Sequence, residues 1–449
     1  MKKYYFVGIG GSGMNPLAQI LRERGAWVGG SDRSFDRGTN AALFEKLQRQ
    51  RISLFPQDGR GITSDLDAIV VSTAIESQNV ELNQAQLRSI PVIHRADLLA
   101  DIFNSAYGIG IGGTSGKTTV TAMAASVLDA AGKDPTVING GIIKQYESSL
   151  RIGNAKGGTS DIVLIETDES DGSIVKFRPH IAVITNISKD HKEIGELRQL
   201  FQAFAKNTAD TVIVNSDDPE IRTLNISNAV TFGMGAANRI AVKKMQQDGS
   251  GTNFEVQRNR FHLSVPGLHN VYNAAAAIAV GMVMGLPMEA IQEGIRSFTG
   301  TRRRLDIVRS ENGITVVDDF AHNPDKIASS IAALKSLGKR LIVIFQPHGY
   351  GPTRFLLNEL AASFSASLAS SDILFLLPIY DAGGTADRSI SSTDLSQKIN
   401  GPQVNCVKER KEVIEQIAGI AKTGDVIVVM GARDDTLSTF AKDIAEVVS

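Results

Sequence analysis

The sequence predicts an α/β protein of three domains: an N-terminal Rossmann-like domain, a central phosphate-loop domain with a mostly parallel sheet, and a C-terminal Rossmann-like domain. Three observations predict it. The chain has 449 residues, too many for one hydrophobic core and enough for about three domains. Two glycine-rich turns, Gly8–Gly13 and Gly112–Gly116, each lie between an apolar strand-like run and a helix-like run. Past residue 300, three further apolar runs each end in polar residues, with helical segments between them, the pattern of a second open α/β sheet.

Composition sets the outer limits. A hydrophobic fraction of 42% and a charged fraction of 21% describe an ordinary globular chain. The net charge of -1 predicts no general attraction to nucleic acid or anionic membrane. The one cysteine, Cys406, has no internal disulfide partner and reads as packed rather than reactive. No signal peptide and no apolar run long enough to span a membrane are evident, so the expected location is the cytoplasm.

The first domain opens with strand Tyr4–Val7. Gly10, Gly11, Ser12, Gly13 and Met14 then lead into a helix at Pro16–Leu21, with a second strand at Ala26–Gly30 followed by Ser31 and Asp32. This is the dinucleotide-binding arrangement, with a helix N-terminus facing a diphosphate and an acid at the end of the second strand. It fits NAD, but a sugar nucleotide uses the same physics, and a tight turn without ligand remains the plain alternative. Strands at Ala68–Ser72 and Pro91–Ile93 complete the domain, which ends near residue 106.

The second domain, 107–299, is organised around Gly112-Gly113-Thr114-Ser115-Gly116-Lys117-Thr118-Thr119, between strand Ile109–Ile111 and helix Val120–Leu128. Small residues let backbone N–H groups approach phosphate oxygens. Lys117 supplies a charge to the outer phosphates and Thr118 a hydroxyl for Mg²⁺. The common phosphate-loop pattern has its first Gly where this chain has Ile111, so the segment is either a shorter variant or a glycine-rich turn. Strand Asp161–Glu166 runs into the acids Asp168, Glu169 and Asp171, where a metal beside a phosphate loop is held; a solvated acidic loop is the alternative. Strand Ile181–Ile187 is followed by Asp190 and His191, and Asn270 and Asn273 begin an Ala-rich helix that they either cap or equip for binding.

The third domain, 300–449, begins with Arg302, Arg303 and Arg304. Its strands end at Asp318-Asp319-Phe320-Ala321-His322, at Gln346-Pro347-His348 and at Gly431-Ala432-Arg433.

Taken in order, these motifs resemble the ATP-dependent Mur ligases of bacterial cell-wall synthesis, in particular the branch of the UDP-N-acetylmuramate:L-alanine and murein-peptide ligases. The resemblance covers nearly the whole chain. It rests on Gly8–Met14, Gly113–Thr119, Asn139–Gly141, Glu166–Gly172, Thr185–Ile187 with Asp190-His191, His269-Asn270 with Asn273, Asp318–His322 and Phe345–His348. The short phosphate loop is this family's own form. The resemblance implies an acyl-phosphate mechanism that joins the carboxylate of a UDP-N-acetylmuramate-like substrate to an amino acid, L-alanine first among them. A paralogue using another amine, peptide or acceptor is the alternative. A NAD-dependent oxidoreductase and a non-catalytic nucleotide-binding protein are further readings, and both leave parts of the chain unexplained.

The same resemblance implies roles for residues. ATP would contact Gly113, Thr114, Gly116, Lys117, Thr118, Thr119, Asn270, Arg303, Arg304, Asp318 and Asp319. Thr118 and Glu166 would hold one Mg²⁺ and His191 a second, with Lys117, Glu166, His191 and His322 closest to the chemistry. The UDP-sugar would lie on Gly10, Gly11, Ser12, Gly13, Met14, Ser31, Asp32 and Ser72. Phe320, His322, His348, Tyr350 and Arg354 would form the amine pocket. Domain closure would complete the centre. Partners would be small molecules, neither nucleic acid nor membrane, and the protein a monomer or homodimer.

Departures from the family concentrate in the substrate pockets. The alanine ligases carry two Arg after Phe-Gln-Pro-His, where this chain has Gly349 and Pro352; Arg354 or Arg433 is the candidate replacement. Asn323 stands for the second His of His-His-Pro, Lys192–Gly195 replaces an Asp and Tyr after His191, and Phe55–Gly59 replaces a Gly-His pair.

Overall fold

The structure, a computed structural model, describes residues 1–189, 192–248, 251–381 and 387–448. The chain forms two compact units. The first comprises Met1–Asp248, Thr252–Ser264 and Val271–Thr301; the second consists chiefly of Val265–Asn270 and the chain from Arg302 onward.

The first unit carries two sheets. Its N-terminal sheet holds β1 (Lys3–Val7), β2 (Trp27–Ser31), β3 (Ser53–Phe55), β4 (Ala68–Val71) and β5 (Val92–His94) in the order β3-β2-β1-β4-β5. All pairs are parallel. Such a sheet is covered on both faces, so its central strand is apolar throughout. Tyr4 and Phe6 enter one core with Ile20 and Leu21, whereas Tyr5 and Val7 enter another with Ile62 and Ile69, the two-residue alternation of a strand. The chain order reverses between β1 and β4, which opens a crevice at their carboxyl ends. Gly8–Gly13 and Ser72 follow those ends directly, and Asp32 follows the neighbouring end of β2.

The second sheet holds β6 (Tyr107–Gly112), β7 (Thr136–Ile138), β8 (Ala155–Lys156), β9 (Ile162–Glu166), β10 (Ile181–Ile184), β11 (Thr211–Asn215), β12 (Val230–Gly233), β13 (Ile240–Asp248), β14 (Gly251–Val256) and β15 (Asn259–Leu263). Its order is β15-β14-β13-β12-β11-β10-β6-β9-β7-β8. The strand before the phosphate loop, β6, lies between β10 and β9 and is parallel to both. The predicted strand 181–187 stops at Ile184. Thr185 N–H still donates to Gly112 O at 3.0 Å, but Thr185 and Asn186 turn their side chains onto the phosphate loop.

The second unit has one sheet: β16 (Asp306–Glu311), β17 (Ile314–Asp319), β18 (Arg340–Gln346), β19 (Ile373–Leu376), β20 (Gln403–Cys406) and β21 (Asp425–Gly431) in the order β16-β17-β21-β18-β19-β20. Only the β16–β17 pair is antiparallel. Asp319 pairs with Met430, and Gln346 with Gly431. The polar segments after three adjacent strands therefore emerge together at one carboxyl edge. Among the described residues, no helix is long and apolar enough to cross a membrane.

Candidate active site

The phosphate loop is shaped by what its glycines exclude. Gly113 has φ +137° and Gly116 φ +84°, both in the region that favours glycine. A Cβ on Gly113 would overlap the Thr185 hydroxyl, and one on Gly116 would lie 2.6 Å from Asn273 Oδ1. The backbone is then clamped from β10. Asn186 Oδ1 accepts from Ser115 N at 2.9 Å and from Thr114 Oγ1 at 2.8 Å, and Asn186 Nδ2 donates to Ser115 O at 2.9 Å. Thr185 Oγ1 donates to the same carbonyl at 2.7 Å. These two residues hold the loop in shape; the sequence reading placed them in a motif but gave them no role.

Helix Lys117–Ala130 starts at the loop. Lys117 Nζ donates to Gly113 O at 2.6 Å and to Glu169 at 2.7 and 3.0 Å. Burial disfavours the ammonium, but the carboxylates of Glu169 and then Glu166 more than offset it, and the amine is held above its ordinary value. Thr118 Oγ1 donates to Glu166 Oε2 at 2.9 Å, and Gly140 N donates to the same oxygen at 3.0 Å. Lys117, Thr118 and Glu166 are thus brought together at the carboxyl ends of β6 and β9. Hydroxyl and carboxylate are hard oxygen donors of the kind Mg²⁺ takes, and this metal commonly uses one or two protein ligands beside phosphate oxygens. His191, which the resemblance assigns to a second Mg²⁺, lies outside the described residues.

Arg95 bridges this site and the first sheet. Its guanidinium meets Asp171 at 2.9 Å and Asp168 at 3.5 Å, and a Cβ on Gly13 would lie 3.1 Å from Arg95 Nη1. Burial alone would raise Asp168, but bonds from Ser170, with Lys117 and Arg95 nearby, hold it below the ordinary range.

In the first sheet, Asp32 is turned inward. Its Oδ2 accepts from Gly10 N at 2.9 Å and its Oδ1 from Ser34 N at 2.8 Å, so it braces the glycine-rich loop and caps the next short helix. Gly11 and Ser12 are exposed, Gly10, Gly13 and Ser72 half-buried, and Met14 buried. Ser31 is fully buried, its hydroxyl donating to Glu81 at 2.5 Å. Glu81 also accepts from Tyr5 OH at 2.6 Å.

In the second unit, Asp318 and Asp319 are buried at the end of β17. Asp319 accepts from Leu305 N at 3.3 Å and from the Ser330 hydroxyl; Asp318 accepts from Ser438 at 2.5 Å. Arg303 donates to Gly431 O at 2.7 Å and lies 3.6 Å from Asp318. The guanidinium groups of Arg303 and Arg304 stand 4.9 and 4.7 Å from the Phe320 ring centroid, within cation–π range. His322 Nδ1–H donates to Phe320 O at 2.8 Å, and its ring lies 4.8 Å from that of His348. Asn270 is buried, donating to Pro266 O at 2.7 Å.

The two candidate replacements for the missing Arg separate clearly. Arg354 is committed to Asp387 at 2.9 Å and Ser389 at 3.0 Å. Arg433 Nη1 lies 3.6 Å from where a Gly349 Cβ would stand. Tyr350 begins the helix after Gly349, with Arg388 5.8 Å from its ring centroid.

Known proteins match along the whole arrangement. The chain matches the Mur ligase family catalytic domain over residues 3–107, the Mur ligase middle domain over 111–281 and the Mur ligase glutamate ligase domain over 303–433. It is 36% identical to a UDP-N-acetylmuramate–L-alanine ligase of Geobacter sulfurreducens, over 96% of this chain and 95% of that one. It is 35% identical to a ligase of the same name from Pelobacter propionicus, with the same coverage. The crystal structure of UDP-N-acetylmuramate-alanine ligase from Thermotoga maritima superposes with a TM-score of 0.83 at 27% identity, covering 99% of each chain. A murein peptide ligase from Psychrobacter arcticus, at 21% identity and a TM-score of 0.67 over 100% of this chain and 98% of that one, shares the fold. On these three domain matches in order, and on relatives this similar over nearly its full length, the chain belongs to the Mur ligase family.

Proposed function

We propose that this protein is an ATP-dependent ligase joining the carboxylate of UDP-N-acetylmuramate to the amine of L-alanine through an acyl phosphate. The observation that carries the reading is Lys117, a charged amine pinned between the phosphate-loop carbonyl of Gly113 and the acidic run after β9. A carboxylate oxygen attacks the γ-phosphorus of ATP and ADP leaves. The amine attacks the acyl carbon, loses a proton, and phosphate leaves with formation of the amide.

Such transfer needs positioning and charge neutralisation more than covalent help. Lys117 and the loop N–H groups hold the phosphates, and Asn186 keeps those groups in place. Mg²⁺ held by Thr118 and Glu166, with a second ion at His191, would neutralise charge building on the phosphates. The UDP diphosphate is assigned to Gly10–Met14, at the helix N-terminus beside Arg95. The second unit keeps the roles the resemblance implies: Asn270, Arg303, Arg304, Asp318 and Asp319 toward the nucleotide, Phe320, His322 and His348 toward the amine. His322, with Nδ1–H committed to Phe320 O, carries its lone pair on Nε2 when neutral. For the amino acid carboxylate we favour Arg433 over Arg354, because Arg433 borders the space left by Gly349.

Boundaries near residues 106 and 299 are supported by the three family matches. A cytoplasmic location follows from the substrates, ATP and a UDP-sugar. The test is phosphate release from MgATP and UDP-N-acetylmuramate, scanned over single amino acids and short peptides. Release that requires L-alanine supports the reading; preference for another amine assigns the altered pocket a different specificity; release indifferent to any amine overturns it.

A further inference from the structure

A buried chain of amide groups runs from the glycine-rich loop of the first sheet to the carboxylate beside the phosphate loop. Asn15 Nδ2 donates to Gly11 O at 2.9 Å and to Gly10 O at 3.2 Å. Those two carbonyls fix the amide orientation, since only the NH₂ can face them. Asn15 Oδ1 therefore faces the other way and accepts from Asn154 Nδ2 at 2.7 Å. Asn154 Oδ1 accepts from Gln19 Nε2 at 3.0 Å, and Asn154 O accepts from Asn139 N at 2.9 Å. Asn139 is followed by Gly140, whose N–H donates to Glu166 Oε2.

Asn15, Gln19 and Asn154 are all at least nine-tenths buried, at 3%, 2% and 4% exposure. In such surroundings a missing partner leaves a stranded polar group, which costs far more than the net value of one bond. The chain therefore shifts as a unit or not at all. Among its side chains only Glu166 is assigned a binding role, toward Mg²⁺, and nothing in the ligase chemistry requires an Asn at 154.

Resting on the ligase reading, we propose that Asn154 is a positioning residue that couples the two binding sites. A diphosphate settling on Gly10–Met14 fixes the Gly10 and Gly11 carbonyls. Asn15 and Asn154 pass that constraint to Asn139-Gly140, and Gly140 N–H sets Glu166 at the nucleotide site. Coupling of this kind is reciprocal: MgATP must strengthen UDP-sugar binding by the same factor that the UDP-sugar strengthens MgATP binding. Arg95 makes a second link through Asp171, but as a partly exposed ion pair it is screened by salt, whereas the amide chain is not.

The experiment measures the Kd of a non-hydrolysable MgATP analogue with and without saturating UDP-N-acetylmuramate, in high salt, on the full-length protein. In the wild type the UDP-sugar should tighten the nucleotide by about five-fold or more. In Asn154→Leu the ratio should fall to near one, while each ligand alone binds within about two-fold of wild type. Asn154→Ala is the second variant. It removes the same amide with no added apolar bulk, and Gln19 Nε2 still donates to Asn15 Oδ1 at 3.2 Å, so it should lose the coupling even where Asn154→Leu is too unstable to study. An unchanged ratio in either folded variant overturns the proposal, as does a wild type that turns over but shows no coupling. A wild type without ligase turnover counts against the ligase reading instead.

Discussion

The phosphate-loop region and the amine-pocket region are built on opposite principles. Around Gly113–Thr118 nearly every polar group is doubly held: Asn186 makes three hydrogen bonds to the loop side, Lys117 three of its own, and Glu166 accepts two. After β17 and β18 the rings of Phe320, His322 and His348 meet edge to face, and after β21 Arg433, next to Gly349, makes no hydrogen bond or ion pair among the described residues. On the proposed reading the first region would hold ATP and the second the amine, where Gly349 and Pro352 stand in place of the two Arg that the resemblance implies.

If the first region is as strictly preorganised as its bonding implies, Lys117→Met should give the largest effect. Loss of a charge aimed at developing phosphate charge should lower kcat by about 100-fold or more, read as phosphate release. Residual activity within a few-fold of wild type would remove Lys117 from the centre of the account. Asn186→Ala comes next. It frees Thr114 and Ser115 from their clamp, and kcat/KM for ATP should fall about ten- to 100-fold through misplacement alone, with KM for the amino acid unaffected. A uniform loss across all substrates would show a folding defect instead.

The second region should respond to a different residue than its family would. Arg433→Ala should raise KM for the amino acid about ten-fold, the value of one charge-assisted hydrogen bond, and leave KM for ATP unchanged. Arg354→Ala, tied to Asp387 and Ser389, should stay within about two-fold, as exposed ion pairs contribute little. The reverse order would exchange their roles.

The smallest expected effect concerns neither region. Burial holds the Glu81 carboxyl above its ordinary value against the pull of the Ser31 and Tyr5 hydroxyls. The folded protein binds this proton more tightly than the unfolded chain, so the associated stability is full below the unfolded value and is lost as pH rises through the folded one. Glu81→Gln removes the ionisation, so its Tm should exceed that of wild type at neutral pH, and the gap should close on acidification. A gap that widens in acid would contradict the burial argument.

The fold was largely legible because parallel strands buried on both faces write themselves as apolar runs, and because glycine-rich turns mark where strands hand over to helices. Tyr4–Val7, Ile109–Ile111 and Val426–Gly431 needed nothing more. Strand ends were less legible: the β-branched Thr185 and Ile187 extend the strand reading past Ile184, yet the Thr185 and Asn186 side chains serve the loop. The site was legible where one residue type has one use, as with Lys117 and Thr118. It was not legible where a common side chain meets a partner far along the chain. Asn154 and Arg95 look ordinary in sequence, and Asn186 carries no role there; only the fold brings each to its partner. Asp32 shows the converse, a residue in a suggestive position whose carboxylate is turned to the loop and the following helix.

The most direct test of the central claim follows an oxygen atom. UDP-N-acetylmuramate carrying heavy oxygen in its carboxylate would be turned over with MgATP and L-alanine, and the released phosphate analysed by mass. The acyl-phosphate route predicts transfer of one labelled oxygen from substrate to phosphate for each amide formed. Unlabelled phosphate, with its new oxygen drawn from water, would show that ATP is hydrolysed without activating the carboxylate and would contradict the account.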